Sequence, residues 1–192
     1  DPEPTQLARL VAVLTEQPWC GPIFTASKNE IEGIAPGSLG RHLVFTDHPR
    51  APDVAFSFRA NDGVDPFGLV GGTFYDNDRP PGLGVHGGLH PLEIAAVGIA
   101  AGTAFLAAGL VSTLPSGICD IAPTMLHLLG VTAPASMTGR VLHEAMADGG
   151  LLDIEPRTDA FEARLGGYLQ TLRRVHVGAA RYIEGGWIGD AG

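Results

Sequence analysis

The sequence predicts an α/β protein, because helix and strand patterns follow one another along the first part of the chain. Residues 5–17 have apolar side chains at helical spacing between a capping Thr5 and a stop at Pro18, which predicts an amphipathic helix. Residues 19–25 then form a short apolar run that suits a buried strand. Residues 54–59 alternate apolar and polar positions and predict a further strand.

The clearest local pattern in the second half of the chain is a helix over residues 120–129. Asp120 stands at its N-cap position, Pro123 falls in the tolerated first turn, and Gly130 follows its last residue. A second, short helix should follow over residues 140–146.

Two longer stretches have weaker patterns. From about residue 159 to residue 182 we expect another helix, interrupted by the pair Gly166-Gly167. Residues 61–90 are rich in Gly, Pro, Asp and Asn and lack an apolar period, so they predict a long loop. Loops of this length within a compact domain are usually functional.

The most apolar stretch covers residues 94–111 and raises the question of a membrane span, which needs about 20 apolar residues. It contains several glycines, is mostly alanine, follows Glu93 and lacks basic anchors. These features favour a buried strand followed by a turn, so no membrane span is expected. The first residues also lack the positive segment of a signal peptide.

Size and charge exclude some classes of protein. The chain has 192 residues and 45% hydrophobic content, which suits one domain with a sizeable core. Its net charge is −9 and its basic residues are not clustered, so binding to a nucleic acid duplex is not expected. Two cysteines, Cys20 and Cys119, are too few for a disulfide framework, and the sequence leaves open whether they pair.

Two segments resemble motifs of a known superfamily. Residues 85–93, Val-His-Gly-Gly-Leu-His-Pro-Leu-Glu, resemble the His-Gly motif of type I phosphodiesterase/nucleotide pyrophosphatase enzymes, which belong to the alkaline phosphatase superfamily. Residues 120–134 begin Asp-Ile-Ala-Pro-Thr and, with Thr-Gly-Arg-Val-Leu at 138–142, are similar to a stretch common to that superfamily, sulfatases included. Two motifs in the right order are more specific than either alone, and the similarity extends over residues 5–147.

The resemblance implies a fold and a chemistry. The fold is the alkaline-phosphatase-like three-layer α/β/α arrangement with a central mixed, largely parallel sheet, and residues 1–192 would be the C-terminal portion of a single catalytic domain of this kind. The chemistry is hydrolysis of a phosphoester small molecule. In the family, a Thr or Ser nucleophile attacks phosphorus beside two metal ions, usually zinc, at the carboxyl ends of strands.

One metal ligand is implied by the resemblance, namely His86, which matches the His of the His-Gly motif. The glycines around it, Gly84, Gly87 and Gly88, allow the backbone to approach a metal closely. By itself, a histidine between glycines is more often an ordinary loop residue. The ligand assignment therefore depends on the family match.

The other catalytic residues of the family have no counterpart in this chain. Its Asp-His-Gly triplet and its nucleophile motif do not occur here, whereas each zinc needs about three protein ligands. We therefore expect the missing N-terminal part of the same protein to supply them, as the partner of this chain. The chain alone should be inactive.

Several other polar residues invite a functional interpretation. His90 lies four residues after His86, but the intervening glycines disfavour a helical zinc pair, so a supporting or surface position is expected. Glu93 could orient His86. Asp120 and Thr124 could act as acid and nucleophile, although a structural capping role for Asp120 explains the pattern better.

Two further features are interpreted as structural. His127 falls on the apolar face of a predicted helix and suggests a core histidine. Asp76-Asn77-Asp78 looks like half of a calcium loop but lacks the later Gly and Glu, so a solvated turn is preferred.

Two alternatives to the phosphodiesterase hypothesis remain open. The chain could be a non-catalytic binding or scaffolding module derived from the same fold. It could also be a sulfatase or phosphomutase relative, since these share the motif that begins at Asp120.

Overall fold

The structure is a computed structural model that describes residues 3–64, 66–74, 87–106, 109, 112–149 and 154–189. Within these residues the protein is mixed α/β, with more strand than helix. Its α-helices are α1 (Pro4–Thr15), α2 (Pro91–Ile94) and α3 (Ile121–Leu128). Its strands are β1 (Cys20–Thr25), β2 (Leu39–Gly40), β3 (Val54–Phe58), β4 (Ala60–Val64), β5 (Val70–Thr73), β6 (Arg157–Leu165), β7 (Tyr168–Val177) and β8 (Ala180–Ile188).

Helix α1 and strands β1 and β3 confirm the predictions for the first part of the chain. Leu7 and Val11 are buried on one face of α1, as the spacing of its apolar residues requires. The helix begins two residues earlier than predicted, with Pro4 as its first residue and Glu3 at the N-cap position instead of Thr5.

Strand β1 is the centre of a three-stranded sheet in the order β2-β1-β3. It pairs in parallel with β2 over two residues, and antiparallel with β3, where Thr25 faces Val54 and Cys20 faces Phe58. All six residues of β1 are buried, as expected for a strand that is covered on both faces.

The second sheet is the β4-β5 ribbon, in which Ala60 faces Thr73 and Val64 faces Val70. The sequence predicted a loop from residue 61, so this prediction was wrong for the described part of that stretch. The ribbon escaped detection because most of its residues are exposed and it therefore lacks the apolar alternation of a half-buried strand.

The third sheet has the order β6-β7-β8. The helix predicted over residues 159–182 is therefore wrong. Two-residue connections follow β6 and β7, and such short links join antiparallel neighbours. Gly166 and Gly178, with φ of 58° and 60°, begin these turns in the left-handed region that glycine adopts without strain.

Strand β7 is bonded to the β1 region through buried polar side chains. The Gln170 side-chain amide accepts a hydrogen bond from the Ile23 backbone N–H at 2.7 Å and donates to the Ile23 carbonyl at 3.2 Å. The Tyr168 hydroxyl donates to the Gly21 carbonyl at 2.7 Å. These bonds satisfy buried backbone groups beside the strands.

Two other sequence predictions need correction. The helix expected over residues 140–146 is only a 3-10 turn, His143–Ala145. Residues 95–101 lie in no helix or strand, and Val97 and Ile99 are 89% and 90% exposed, so the buried strand predicted there is wrong in this part. A strand needs a neighbour for its backbone groups, and none is assigned to these residues within the described ranges.

The chain divides into two compact units. The first comprises residues 1–95, 160–173 and 183–192, and its buried clusters centre on Val11 and Ile23 and on Leu39 and Leu172. The second comprises residues 96–159 and 174–182 and has a smaller buried cluster on Val175 and Val177. In the described residues the sheets are small and mainly antiparallel, so a large parallel sheet with helices on both faces is not seen in them.

Candidate metal centre

The predicted metal ligand, His86, and the Asp76–Asp78 turn lie outside the described residues. The described part of the His-Gly motif is the segment from Gly87 to Glu93, which continues into the last residue of α2, Ile94. This segment belongs to the first unit.

The segment after Gly87 is held against strand β8. The Leu89 carbonyl accepts a hydrogen bond from the Gly186 backbone N–H at 2.8 Å. A Cβ atom placed on Gly185 would lie 2.9 Å from the Pro91 ring, and one on Gly186 would lie 3.2 Å from the Leu89 side chain. The two glycines of β8 therefore permit a close approach that a side chain would obstruct.

His90 is buried, with 8% of its surface exposed, and both of its ring nitrogens are engaged. Nδ1 accepts a hydrogen bond from the Leu92 backbone N–H at 3.2 Å, and Nε2 lies 3.0 Å from the Asp62 carboxylate. These partners require a neutral ring that carries its proton on Nε2. The ring therefore has no lone pair left for a metal, and its role is to cap α2.

The Glu93 side chain contacts the backbone of the segment that precedes α2. Its carboxylate accepts a hydrogen bond from the His90 backbone N–H at 3.4 Å, which completes a capping box with the His90 side chain. A Cβ atom on Gly88 would lie 1.8 Å from the Glu93 carboxylate, so a larger residue there would require the Glu93 side chain to move away from its bond with His90. The prediction that Glu93 orients His86 is untested, because His86 is not described.

Asp120 is completely buried in the second unit. In addition to a 3.8 Å bond from the Cys119 thiol, its carboxylate accepts three shorter hydrogen bonds. The donors are the Gly117 N–H at 2.8 Å, the Arg140 N–H at 2.7 Å and the Tyr182 hydroxyl at 2.9 Å. The preference for a structural role agrees with these contacts. The predicted N-cap bond is wrong, because the side chain makes no capping hydrogen bond to α3.

Thr124 is also engaged in structure. Its buried hydroxyl accepts a hydrogen bond from the Leu142 backbone N–H at 3.1 Å. Next to the N-terminal end of α3, a Cβ atom on Gly139 would lie 2.1 Å from the Cys119 carbonyl oxygen, which explains the need for glycine at that position. The two halves of the 120–142 motif are thus bonded to each other.

A buried ion pair that the sequence analysis missed supports the same region. Arg140 donates two hydrogen bonds to the Glu144 carboxylate, at 2.8 and 2.6 Å, with side chains only 12% and 6% exposed. Burial raises the pKa of Glu144, but the bonds from Arg140 outweigh this and hold it below its ordinary value. The four-residue spacing of Arg140 and Glu144 in the sequence is the pattern that could have predicted this ion pair.

His127 is exposed, so the prediction of a core histidine is wrong. The cause is that the apolar side of α3 is itself largely exposed, including Met125 and Leu129. The His127 ring instead meets the ring of His143 edge to face, with 4.9 Å between the ring centres.

The described residues supply no metal centre of three or more protein ligands. Among them, no group of three or more His, Cys, Asp or Glu side chains is arranged to hold a metal ion. In the same part of the chain, no helix is both long and apolar enough to cross a membrane. Comparison of the chain with protein-family models, with curated proteins and with solved structures gave no match.

Proposed function

We propose that this chain is the C-terminal part of a metal-dependent phosphodiesterase or nucleotide pyrophosphatase-like hydrolase of the alkaline phosphatase superfamily, in which His86 provides one ligand of a two-metal site. The observation that carries the proposal is the order of two motifs, residues 85–93 followed by residues 120–142. A single short motif would not justify it.

The contacts of the described residues support structural roles for three polar residues of the two motifs. The Asp120, Thr124 and His90 side chains are all buried and bonded within the chain, which suits structural positions.

The described residues do not fit a two-zinc site alone, since each zinc takes about three protein ligands. When bound, such a metal pair shields phosphate charge and lowers the pKa of a nucleophile. The remaining ligands and the nucleophile would come from polypeptide outside these 192 residues. The three-layer fold with a largely parallel sheet would likewise be completed only by that polypeptide.

The proposal is tested by comparing residues 1–192 with a longer protein that includes the upstream polypeptide. With added zinc, the longer protein should hydrolyse a nitrophenyl phosphodiester, whereas residues 1–192 should show negligible hydrolysis. Hydrolysis by residues 1–192 alone at the rate of the longer protein would overturn the proposed dependence on further ligands.

One observation favours a second candidate, a non-catalytic binding or scaffolding module. Three described motif residues that were considered for catalysis or ligation, namely His90, Asp120 and Thr124, are used in structural bonds. His86→Ala in the longer protein separates the two candidates. A hydrolase should lose most of its activity, while a binding module has no hydrolysis to lose.

A further inference from the structure

His127 and His143 form a close pair in the second unit. In the sequence, both lie well beyond residues 85–93, the motif that contains His86. His127 lies in the last turn of α3, and His143 begins the 3-10 turn His143–Ala145. Their ring centres are 4.9 Å apart and the ring planes are inclined at 82°. His127 is exposed and His143 is partly exposed, so solvent reaches the pair.

Within the described residues, neither imidazole is hydrogen bonded, so their nitrogen lone pairs are not committed to structure. This separates them from His90, whose two nitrogens are both bonded. Glu144 is paired with Arg140 and also interacts electrostatically with His143, an interaction that lowers the pKa of Glu144. Neutral imidazole is the most common protein ligand for transition metals.

The distance between the rings suits a shared metal ion. An imidazole nitrogen bound to zinc at about 2.0–2.1 Å places its ring centre about 3.2 Å from the metal. Two such ligands at a tetrahedral angle have ring centres about 5.2 Å apart, close to the observed 4.9 Å. The rings pack edge to face, so binding of a shared ion requires them to rotate about their Cβ–Cγ bonds, a torsion with broad minima.

We propose that His127 and His143 bind a divalent transition metal ion of the zinc, copper or nickel class, with the remaining coordination positions open to water or to a ligand. Imidazole nitrogens suit these metals, while calcium and magnesium prefer oxygen ligands. The bound ion would join the C-terminal turn of α3 to the 3-10 turn of residues 143–145. This site is independent of the proposed function, because it uses neither His86 nor upstream polypeptide.

Zinc titration of the chain carrying His86→Ala tests the proposal, since that substitution removes the ligand assigned to the other site. By calorimetry, this background should bind one zinc per chain, and zinc should raise its melting temperature. His127→Phe and His143→Phe are the variants that test the two ligands, because phenylalanine keeps a ring contact but cannot bind a metal ion. His48→Ala, which removes an exposed histidine of the first unit, is the matched control.

Each phenylalanine variant should weaken zinc binding by at least about tenfold, because loss of even an outer partner of a ligand costs about 10–100-fold. Each should keep the melting temperature of the metal-free background and lose the zinc-induced rise. His48→Ala should change neither quantity. Unchanged zinc affinity in both phenylalanine variants, or no zinc binding in the His86→Ala background, would overturn the proposal.

Discussion

At the scale of single residues, the buried carboxylate of Asp120 shows what a local pattern can and cannot reveal. The position of Asp120 before an apolar helix correctly suggested a structural role. Its partners could not be predicted, because Arg140 and Tyr182 lie 20 and 62 residues away along the chain. A pattern of neighbouring residues carries no information about such contacts.

Tyr182→Phe should lower the free energy of unfolding by about 1.5–3 kcal/mol, because it removes a hydrogen bond to a buried charged group. Burial, and after it the Asp120 carboxylate, raises the pKa of Tyr182, so the hydroxyl remains a donor at all ordinary pH values. Urea unfolding measures the change.

Tyr168→Phe is the matched control, since it removes a buried bond to the neutral Gly21 carbonyl. It should cost less, about 0.5–1.5 kcal/mol. A Tyr182→Phe variant as stable as the parent would contradict the role assigned to this contact.

Glu144→Gln should weaken the dependence of stability on acid pH. The pKa of Glu144 is lowered in the folded chain, so its contribution is present above the unfolded value of about 4.3 and is lost as the pH falls through the lower folded value. As the pH falls below about 5, the parent should therefore lose stability more steeply than the variant.

At neutral pH the same variant should be less stable by about 1–3 kcal/mol, because Arg140 loses its charged partner. Unfolding curves over a pH series provide both comparisons. Glu32→Gln, at an exposed ion pair with Lys28, should change the pH dependence less. Parallel pH curves for the parent and Glu144→Gln would contradict the assignment.

At the scale of elements, predictions succeeded where the local pattern agreed with the packing. Helix α1 and strand β1 have apolar residues at the spacing that their buried faces require. The β6-β7-β8 sheet was predicted as a broken helix because β7 is buried on both faces and includes polar residues such as Gln170. In this region the glycine turns, and not the hydrophobic periodicity, indicate the strands and their hairpins.

Gly166→Ala should destabilise the β6-β7 hairpin, because alanine in the left-handed region costs about 1–2 kcal/mol. Gly167→Ala is the matched control. Among the described residues, no heavy atom lies within 4 Å of a Cβ placed on Gly167, so alanine fits there and should be neutral or stabilising by up to about 1 kcal/mol. Equal urea midpoints for the two variants would contradict the turn geometry.

The apolar run from residue 94 failed for a different reason. Its composition predicts burial, yet Val97 and Ile99 are exposed in this chain. An apolar composition indicates that a segment tends to be buried. It does not identify the surface that buries the segment, or show that this surface belongs to the same 192 residues.

At the scale of the whole molecule, the sequence predicted the mixed α/β class but not the division into two units or the order of the sheets. These depend on contacts between distant segments, such as that of Gln170 with Ile23. The candidate site was predicted through a family resemblance and not from geometry. Its central residue, His86, lies outside the described residues.

The two thiols should report the integrity of the native fold. Both cysteines are free, Cys119 is exposed and Cys20 is buried. Burial also raises the pKa of Cys20 to about 11, so only about 0.1% would be thiolate at pH 8. A disulfide reagent should therefore modify one thiol per native chain.

Cys119→Ser should remove that reaction, while Cys20→Ser should keep it. Modification of Cys20 should appear only in denaturant, as the first unit unfolds. Rapid modification of two thiols in the native chain would contradict the burial of Cys20.

The zinc content of the longer protein tests the central proposal most directly. The measurement is made in a His127→Phe background, so that the histidine pair of α3 does not contribute. The account predicts about two zinc ions per chain, with loss of at least one ion and of most phosphodiester hydrolysis on His86→Ala. A His86→Ala protein that keeps both its zinc and its hydrolytic rate would contradict it.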